Sequence, residues 1–152
     1  MSAQIIIVTP YFVPPRWLIK DLRQAVRRGI KIEVFLPRET DIKIMNAANY
    51  FFAALLQPLG IKFLLIPQMM HAKAFLIDGQ EGLIGSNNID AQSFDFNLEA
   101  SVVFQRRDMV GDLKKILDRW RKSAIPLERL RYRLTWRHKI LGFFVRFLQP
   151  IL

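Results

Sequence analysis

Short apolar runs alternate with longer amphipathic segments through the first part of the chain. Continuous runs rich in β-branched residues are typical of strands buried on both faces, whereas apolar positions three and four apart are typical of helices. The pattern predicts strands at Gln4–Val8, Lys31–Leu36 and Ile61–Ile66. It predicts one helix at Trp17–Arg28, ended by Gly29, and another from an N-cap at Thr40 or Asp41 to about Leu59, ended by Gly60. The order βαβαβ indicates a parallel sheet with crossover helices.

The pattern changes after the third of these strands. Three short strands are predicted at His71–Asp78, Gly82–Gly85 and Asn97–Phe104, with a tight turn between the first two. An amphipathic helix is predicted at Val110–Ser123, and Pro126 opens a segment of different composition. We therefore predict an α/β fold in which a mixed, mostly parallel sheet is flanked by helices.

Length and charge narrow the classes of protein and of partner. A chain of 152 residues suits one domain with one core, here residues 1–125, followed by a basic amphipathic segment at 126–152. The formal net charge of +10 predicts anionic partners, such as phospholipid headgroups, nucleic acid or phosphorylated metabolites. The absence of cysteine excludes disulfides and thiolate metal sites, and two histidines are too few for a histidine-rich metal site.

The sequence shows no apolar stretch of the roughly 18 residues that a membrane-spanning helix needs. The first residues place no basic region ahead of their short apolar run, so they do not resemble a signal peptide. We expect any membrane contact to be peripheral.

Four polar side chains at matching spacings suggest where the chemistry lies. Strand alternation places His71 and Lys73 on the same face, and Ser86 and Asn88 have the same spacing at the end of the next strand. A hairpin-like connection would bring the two pairs together. Asp78 has the opposite parity and is expected to have a structural role, such as capping the turn that follows it.

These residue types suit attack on a phosphodiester. Lys73 can neutralise a non-bridging oxygen, while Ser86 and Asn88 donate hydrogen bonds to developing charge. A neutral His71 can attack phosphorus and form a covalent intermediate. A general acid must protonate the leaving group, and the second histidine, His138, lies in the basic segment. The chain is therefore expected to lack a general acid of its own.

A carboxylate in the next predicted strand could assist His71. Glu99 could accept a hydrogen bond from one imidazole nitrogen, which would fix the tautomer and leave the other nitrogen free to attack. Asn97 precedes it, in a loop that could line the rim of the pocket.

The spacing His71-x-Lys73-x4-Asp78-x6-Gly85-Ser86-x-Asn88 resembles the HKD motif of the phospholipase D superfamily at every specified position. Glu99 also falls where that family places its histidine-orienting carboxylate. The resemblance extends over nearly the whole chain to the C-terminal half of the bacterial cardiolipin synthase branch. The segments that carry it are Thr9–Pro14, Leu64–His71, Asp90-x-x-Ser93, Asn97-x-Glu99 and Arg146–Leu152.

The resemblance implies a single phospholipase D-like repeat and phosphatidyl or phosphodiester transfer through a covalent phosphohistidine. The catalytic residues that it implies are His71, Lys73, Asn88, Ser86 and Glu99. The expected substrate contacts are Lys73, Ser86, Asn88, Asn97 and Tyr11, and packing is the alternative for Tyr11. Asp78 and Gly85 are expected to be structural. No metal or other cofactor is expected, because the pocket residues supply a cation and neutral donors.

Two departures from the family pattern bear on function. Gln92 stands where cardiolipin synthases usually have arginine before serine, a position that bears on acceptor or headgroup specificity. The family joins two HKD repeats in one polypeptide, and this sequence has one. The second motif would come from a homodimer or another chain, or it is missing. The alternatives are therefore a homodimeric single-motif nuclease or phosphodiesterase, and an inactive half that only binds membrane.

The final segment favours a membrane surface over nucleic acid as a partner. From Leu127 onward it holds six basic residues against one acid, Glu128, with aromatic and aliphatic residues between them. This apolar content is high for a nucleic-acid patch and suits a segment lying in a membrane interface, with packing on the domain as the alternative. We therefore expect a peripheral protein of the bacterial inner membrane, on either side, that acts on an anionic phospholipid such as phosphatidylglycerol.

We predict that the basic and aromatic residues of this segment contribute separately to membrane binding. Replacing Arg133, Arg137 and Lys139 by Gln should remove much of the preference for anionic vesicles, because each basic residue contributes about 1 kcal/mol near an anionic surface. Replacing Trp136, Phe143 and Phe144 by Ser should weaken flotation with every vesicle composition. Truncation after Ile125 tests the alternative: unchanged flotation with a large drop in melting temperature would assign the segment to the domain core.

Overall fold

The computed structural model describes residues 3–90, 93–94 and 97–130, and within them the strands form one seven-stranded sheet. The strands are β1 Gln4–Val8, β2 Lys31–Pro37, β3 Lys62–Ile66, β4 Ala74–Ile77, β5 Glu81–Gly85, β6 Ser101–Phe104 and β7 Ile125–Pro126. The helices are α1 Arg16–Arg27, α2 Lys43–Leu56 and α3 Arg107–Ser123, with short 3-10 turns at Gln57–Leu59 and Leu127–Leu130.

The sheet is mixed, as the sequence predicted. Its strand order is β6-β5-β4-β1-β2-β3-β7. Strands β1, β2 and β3 pair in parallel through the predicted βαβαβ unit. Strands β4, β5 and β6 then extend the sheet from β1 by antiparallel pairing, and β7 pairs antiparallel with β3 at the opposite edge. Two of the six strand pairings among the described residues are therefore parallel and four are antiparallel, so the prediction of a mostly parallel sheet is wrong. Outside the strands, an isolated parallel bridge joins Phe12 and Ile89.

Helices cover both faces of the sheet and bury two apolar layers. On one face, α1 and α2 pack on inward residues of the parallel strands, among them the fully buried Val34 and Phe63. On the other face, α3 packs on residues of opposite parity, such as Phe35 and Leu64. Parallel strands with helices on both faces must be apolar throughout, which explains the continuous apolar runs in the sequence.

Three predicted element starts are wrong, and strand pairing explains two of them. The strand predicted from His71 begins at Ala74, because its partner β1 ends at Val8, opposite Ala74. The strand predicted from Asn97 begins at Ser101, opposite the last residue of β5. The last helix begins at Arg107 rather than Val110. The prediction missed its first turn because that turn is mostly polar and adds little to the apolar pattern.

The predicted N-cap of α2 is also wrong. The N-cap is Ile42, which makes no capping hydrogen bond through its side chain. The Thr40 hydroxyl donates to the Ile42 carbonyl at 2.8 Å, and the Asp41 carboxylate accepts from Tyr11. The glycines predicted to end the first two helices, Gly29 and Gly60, both have the left-handed backbone expected of them, with φ of 82° and 100°.

The turn between β4 and β5 fixes how these strands pair. Asp78 and Gly79 have φ of 53° and 64°, and Gln80 N donates to Ile77 O at 2.9 Å, which is the two-residue hairpin turn that an Asp-Gly pair favours. The Asp78 carboxylate accepts a hydrogen bond of 2.7 Å from Gln4 N at the start of β1. Asp78 therefore ties the hairpin to the central strand, at the end of the sheet far from Lys73.

The loop after β1 is anchored by a buried amide on α2. Asn49 is 1 % exposed; its Oδ1 accepts from Phe12 N at 2.7 Å and its Nδ2 donates to Pro10 O at 2.8 Å. The Thr9 hydroxyl donates to Tyr11 O at 2.8 Å within the same loop. These bonds satisfy backbone groups that have no strand partner, so the loop is held rigidly at the end of the sheet.

The described part of the predicted C-terminal segment packs on the domain. Ile125 and Pro126 pair with β3, and Leu127 is buried beneath the sheet edge. The rest of the predicted segment, from residue 131, lies outside the described residues, as does most of its basic and aromatic content. Within the described ranges, no helix has the length and apolar character required to cross a bilayer.

We predict that Asn49→Ala lowers the free energy of unfolding by about 2–4 kcal/mol, because it leaves two buried backbone groups without partners. The matched control is Asn46→Ala on the same helix, since the Oδ1 atom of Asn46 has no hydrogen-bond partner and the helix propensity changes equally. Urea denaturation of both variants makes the comparison. Equal stability of the two variants would contradict the anchoring role.

Candidate active site at one end of the sheet

Strand register gathers the predicted site residues at one end of the sheet. Val8 lies opposite Ala74, Ala74 opposite Ile84, and Gly85 opposite Ser101. The segments that flank these positions therefore meet beside one another. They are the loop after β1 with Tyr11, the residues before β4 with His71 and Lys73, the residues after β5 with Ser86 and Asn88, and the residues before β6 with Asn97 and Glu99.

A hydrogen-bond network joins the end of β5 to the start of β6. The Ser86 hydroxyl donates to the Glu99 carboxylate and accepts from Ala100 N at 3.0 Å, while Ser86 N donates to Ala100 O at 3.0 Å. The Asn97 amide reaches the other Glu99 oxygen at 3.5 Å. The hydrogen bond from Ser86 is the main reason that the pKa of Glu99 is lowered, so this side chain is a carboxylate at neutral pH.

Lys73 lies half-buried between two acidic groups. Burial lowers the pKa of Lys73, and the charges of Glu99 and Asp90 oppose that shift. Its Nζ donates to His71 O at 3.2 Å, and Gly85 N donates to Lys73 O at 3.1 Å, which ties the segment before β4 to the end of β5. The ammonium group is thus directed into the site and has a hydrogen bond to a neutral carbonyl.

Hydrogen bonds connect Asn88 to the loop that follows it in the chain. Asn88 N donates to Ser93 Oγ at 3.3 Å, and Ser93 N donates to the buried Asp90 carboxyl at 2.7 Å. Burial raises the pKa of Asp90, against the two hydrogen bonds from Ser93 that lower it. The Asn88 Oδ1 atom is buried and accepts no hydrogen bond in the described structure. A buried acceptor without a partner is costly, so this oxygen is available to a donor on a ligand.

The His71 side chain is exposed, and its ring lies beside the ring of Tyr11. The two rings meet edge to face, with centroids 5.8 Å apart and planes at 80°. Within the described residues, no hydrogen bond joins His71 to Glu99, whose oxygens are bonded to Ser86 and Asn97. The predicted orientation of the imidazole by Glu99 therefore stays a prediction, although both residues lie at the same end of the sheet.

Sequence reasoning missed one member of this cluster and assigned another to the wrong role. Asn49, whose backbone contacts hold the Tyr11 loop, gave no signal in the sequence because its partners lie 37 and 39 residues away. Asp41 is one of the two residues predicted as the helix cap, but it accepts a hydrogen bond of 2.7 Å from the Tyr11 hydroxyl. Gln92, the departure from the family pattern, lies outside the described residues.

No group of three or more histidine, cysteine or acidic side chains is placed to hold a metal ion in the ranges 3–90, 93–94 and 97–130. What the described residues present at this end of the sheet is one ammonium group, a hydroxyl, two amides and an exposed imidazole, with the carboxyl groups of Glu99 and Asp90 beside the ammonium. Such a set can bind a monoanionic phosphodiester and place a nucleophile beside it.

Comparisons with known proteins assign the chain to one family. The profile described as "Cardiolipin synthase, PLD-like domain" matches residues 2–121. Cardiolipin synthase A of Yersinia pseudotuberculosis serotype O:1b (strain IP 31758) is 32 % identical over 153 aligned positions, which cover 98 % of this chain. The chain spans 31 % of the length of that relative.

Solved structures share the fold at lower identity. The phosphatidylserine synthase of Haemophilus influenzae Rd KW20 superposes with a TM-score of 0.75 at 17 % identity, over 100 % of this chain and 42 % of that one. Nuc of Salmonella typhimurium, a phospholipase D family member, superposes with a TM-score of 0.67 at 18 % identity, over 86 % of this chain and 82 % of that one. These similarities confirm the predicted phospholipase D-like fold.

We predict that Glu99→Gln lowers the pKa of Lys73 further below its usual value. A nearby carboxylate favours the charged ammonium, so its removal leaves the effect of burial less opposed. An NMR titration of the Lys73 Cε signal measures the shift. Asp112→Asn, which removes an exposed carboxylate on α3, is the control and should leave the titration unchanged. A rise in the pKa of Lys73 on losing Glu99 would contradict the described electrostatics.

Proposed function

The chain belongs to the phospholipase D-like domain family of the cardiolipin synthases, and from that premise we propose that it transfers a phosphatidyl group through a covalent phosphohistidine on His71. The observation that carries the proposal is the convergence of His71, Lys73, Ser86 and Asn88 at one end of the sheet. Phosphatidylglycerol is the proposed donor. It is an anionic phosphodiester, and the chain has a formal net charge of +10.

The proposed reaction has two steps that mirror each other. A ring nitrogen of neutral His71 attacks phosphorus, and the bond from phosphorus to the oxygen of the headgroup glycerol breaks. A general acid protonates that oxygen as the headgroup leaves. An alcohol acceptor then attacks the phosphohistidine, loses its proton to the same group acting as a base, and releases His71. Lys73 neutralises a non-bridging oxygen in both steps, and the Asn88 amide donates to the developing charge. The Ser86 hydroxyl joins them by turning its one proton from the Glu99 carboxylate to the phosphate.

We propose that the general acid comes from outside the described residues. His71 is the one histidine among the described residues, and the other histidine of the sequence is His138 in the C-terminal segment. The partners of the described carboxyl groups also argue against an internal acid. Glu99 has a lowered pKa and is therefore ionised. Asp90 has a pKa raised by burial, but the same burial and its hydrogen bond from Ser93 N make it poorly accessible to a leaving group. We propose that the second copy of a dimer supplies its own His71 as the general acid.

An open apolar face beside the site supports a second copy as the partner. Where β4–β6 extend beyond the cover of α1, a groove of about 360 Å³ is lined mostly by apolar side chains, including Phe75, Leu83 and Phe94. Nearby Val103 and Trp17 are 58 % and 49 % exposed, and Trp17 packs edge to face on Phe94. Large exposed apolar patches are typical of interfaces.

The same groove adjoins the catalytic end of the sheet. Its lining includes Asn87 and Ser101, which share a hydrogen bond of 2.9 Å, and Asn87 lies between Ser86 and Asn88 in the chain. A copy docked on this face would therefore bring its own sheet end close to the site. This continuity is why we propose a second copy rather than an unrelated protein as the occupant.

A second candidate function has its own support. The Salmonella nuclease-like structure is covered over 82 % of its length by this chain, whereas the phosphatidylserine synthase is covered over 42 %. A dimeric single-motif nuclease or phosphodiesterase is therefore the alternative to lipid transfer. The cardiolipin synthase profile favours the lipid, and we propose peripheral association with the bacterial inner membrane. An inactive half that binds membrane is the remaining alternative, and the assay below separates all three.

We predict that the chain converts phosphatidylglycerol in mixed vesicles, in the presence of EDTA, and that His71→Ala abolishes turnover without changing the melting temperature. Because two copies complete one site, specific activity should fall on dilution with the dissociation of the dimer. Thin-layer analysis of the lipid products, with single-stranded DNA as a parallel substrate, distinguishes transfer, hydrolysis and nuclease activity.

The interface variant Val103→Lys should shift the protein to monomers in analytical ultracentrifugation and lower turnover at a fixed chain concentration. Ile116→Lys is the matched control, because it places the same charge at an exposed apolar position on α3, on the other face of the sheet. A monomeric protein with turnover per chain that is independent of concentration would refute the two-copy site. Turnover that persists in His71→Ala would refute the nucleophile.

A further inference from the structure

The imidazole of His71 has little to hold it in place. The residue is exposed, its side chain makes no hydrogen bond with the described residues, and its ring lies edge to face with the ring of Tyr11. An exposed histidine exchanges rotamers freely, whereas in-line attack on phosphorus needs a fixed ring nitrogen. The Tyr11 ring is placed to restrain the imidazole, so what fixes Tyr11 bears on the orientation of the nucleophile.

The backbone of Tyr11 is fixed by the loop that carries it. Tyr11 O accepts hydrogen bonds from the Thr9 hydroxyl at 2.8 Å and from Ile89 N at 3.3 Å. The neighbouring residue Phe12 is fully buried, and Asn49 holds its N–H. What the loop leaves free is the tilt of the buried Tyr11 ring at its hydroxyl end.

A carboxylate on a different loop removes that freedom. Asp41 lies between β2 and α2, 30 residues along the chain, and its Oδ1 accepts a hydrogen bond of 2.7 Å from the Tyr11 hydroxyl. With this bond made, the ring is fixed at its backbone end by the loop and at its hydroxyl end by Asp41. Only 8 % of Tyr11 is exposed, so water does not compete strongly for the hydroxyl.

We infer that Asp41 is a positioning residue, which holds the Tyr11 ring through its hydroxyl so that the ring fixes the imidazole of His71 at the pocket. The inference rests on the proposed function only in so far as His71 is the reacting group. It assigns to Asp41 a role that acts through Tyr11 rather than on the substrate.

The state of the Tyr11 hydroxyl excludes a direct role in proton transfer. Burial, together with the hydrogen bond to Asp41 and its charge, raises the pKa of Tyr11 to about 12. A hydroxyl that keeps its proton up to this pH, and is hydrogen-bonded to a carboxylate, is a poor acid or base near neutral pH. Its contribution is the placement of a ring.

The test uses single changes that separate the hydrogen bond from the charge and from the ring. Tyr11→Phe keeps the ring and removes the hydroxyl, Asp41→Ala removes the acceptor, and Asp41→Asn keeps an acceptor oxygen without the charge. Glu39→Ala, an exposed acid in the same loop as Asp41, is the matched control. Each variant is assayed for kcat and KM on phosphatidylglycerol vesicles.

We expect Tyr11→Phe and Asp41→Ala each to lower kcat by roughly tenfold with KM little changed, since a displacement of about 1 Å can cost as much as ~100-fold. The double variant should lose no more than either single change, because both break the same bond. Asp41→Asn and Glu39→Ala should stay near the parent. Multiplicative losses in the double variant, or a parent-like Asp41→Ala, would overturn the inference.

A readout that needs no turnover separates this inference from the proposed function. In a His138→Gln background, diethyl pyrocarbonate modifies His71 as the one remaining histidine. We expect its rate of modification to rise severalfold in Asp41→Ala and Tyr11→Phe and to stay at the parent rate in Asp41→Asn. A rise with an inactive protein would support the positioning role while the proposed function fails. An unchanged rate in Asp41→Ala would overturn the positioning role whatever the activity.

Discussion

The register of β4 between β1 and β5 is the constraint on which the candidate site depends. Side chains alternate between faces of a sheet, so a slip of one residue would move His71 and Lys73 away from Ser86 and Asn88. Two features fix this register at the far end of the hairpin, the left-handed turn at Asp78-Gly79 and the hydrogen bond from Gln4 N to the Asp78 carboxylate. Asp78, the aspartate of the sequence motif, thus helps to align the strands and lies far from the candidate site.

Charge balance at the candidate site bears on the proposal of a second copy. The described part of the site holds the ammonium of Lys73 against the carboxyl groups of Glu99 and Asp90, and burial already disfavours that ammonium. A phosphodiester would add another negative charge in a partly buried place. Under the two-copy proposal, a protonated imidazole and a second ammonium from the partner would offset it. The basic surplus of the chain would then serve approach to an anionic surface rather than the transfer itself.

Much of the fold and of the site could be predicted because local patterns specify them. The buried parallel strands appeared as apolar runs, Gly29 follows α1 as expected, and Gly60 ends the 3-10 turn that follows α2. The facing of His71 with Lys73 and of Ser86 with Asn88 stays a prediction, because all four residues lie just outside the strands. The strand starts near the site were wrong because pairing ends where the partner strand ends, which the sequence of a single strand does not contain. The contacts of Asp41 and Asn49 could not be predicted from the sequence, because they join loops and helices that are far apart in the chain.

The most direct test of the account is the site and extent of covalent modification during turnover. The protein is mixed with phosphatidylglycerol vesicles, quenched by denaturant at neutral pH, digested and mapped by mass spectrometry for an acid-labile phosphatidyl adduct. The account predicts an adduct on His71 in at most half of the chains, because in each pair one imidazole is the nucleophile and the other the acid. An adduct on another residue, or full occupancy of His71, would contradict it.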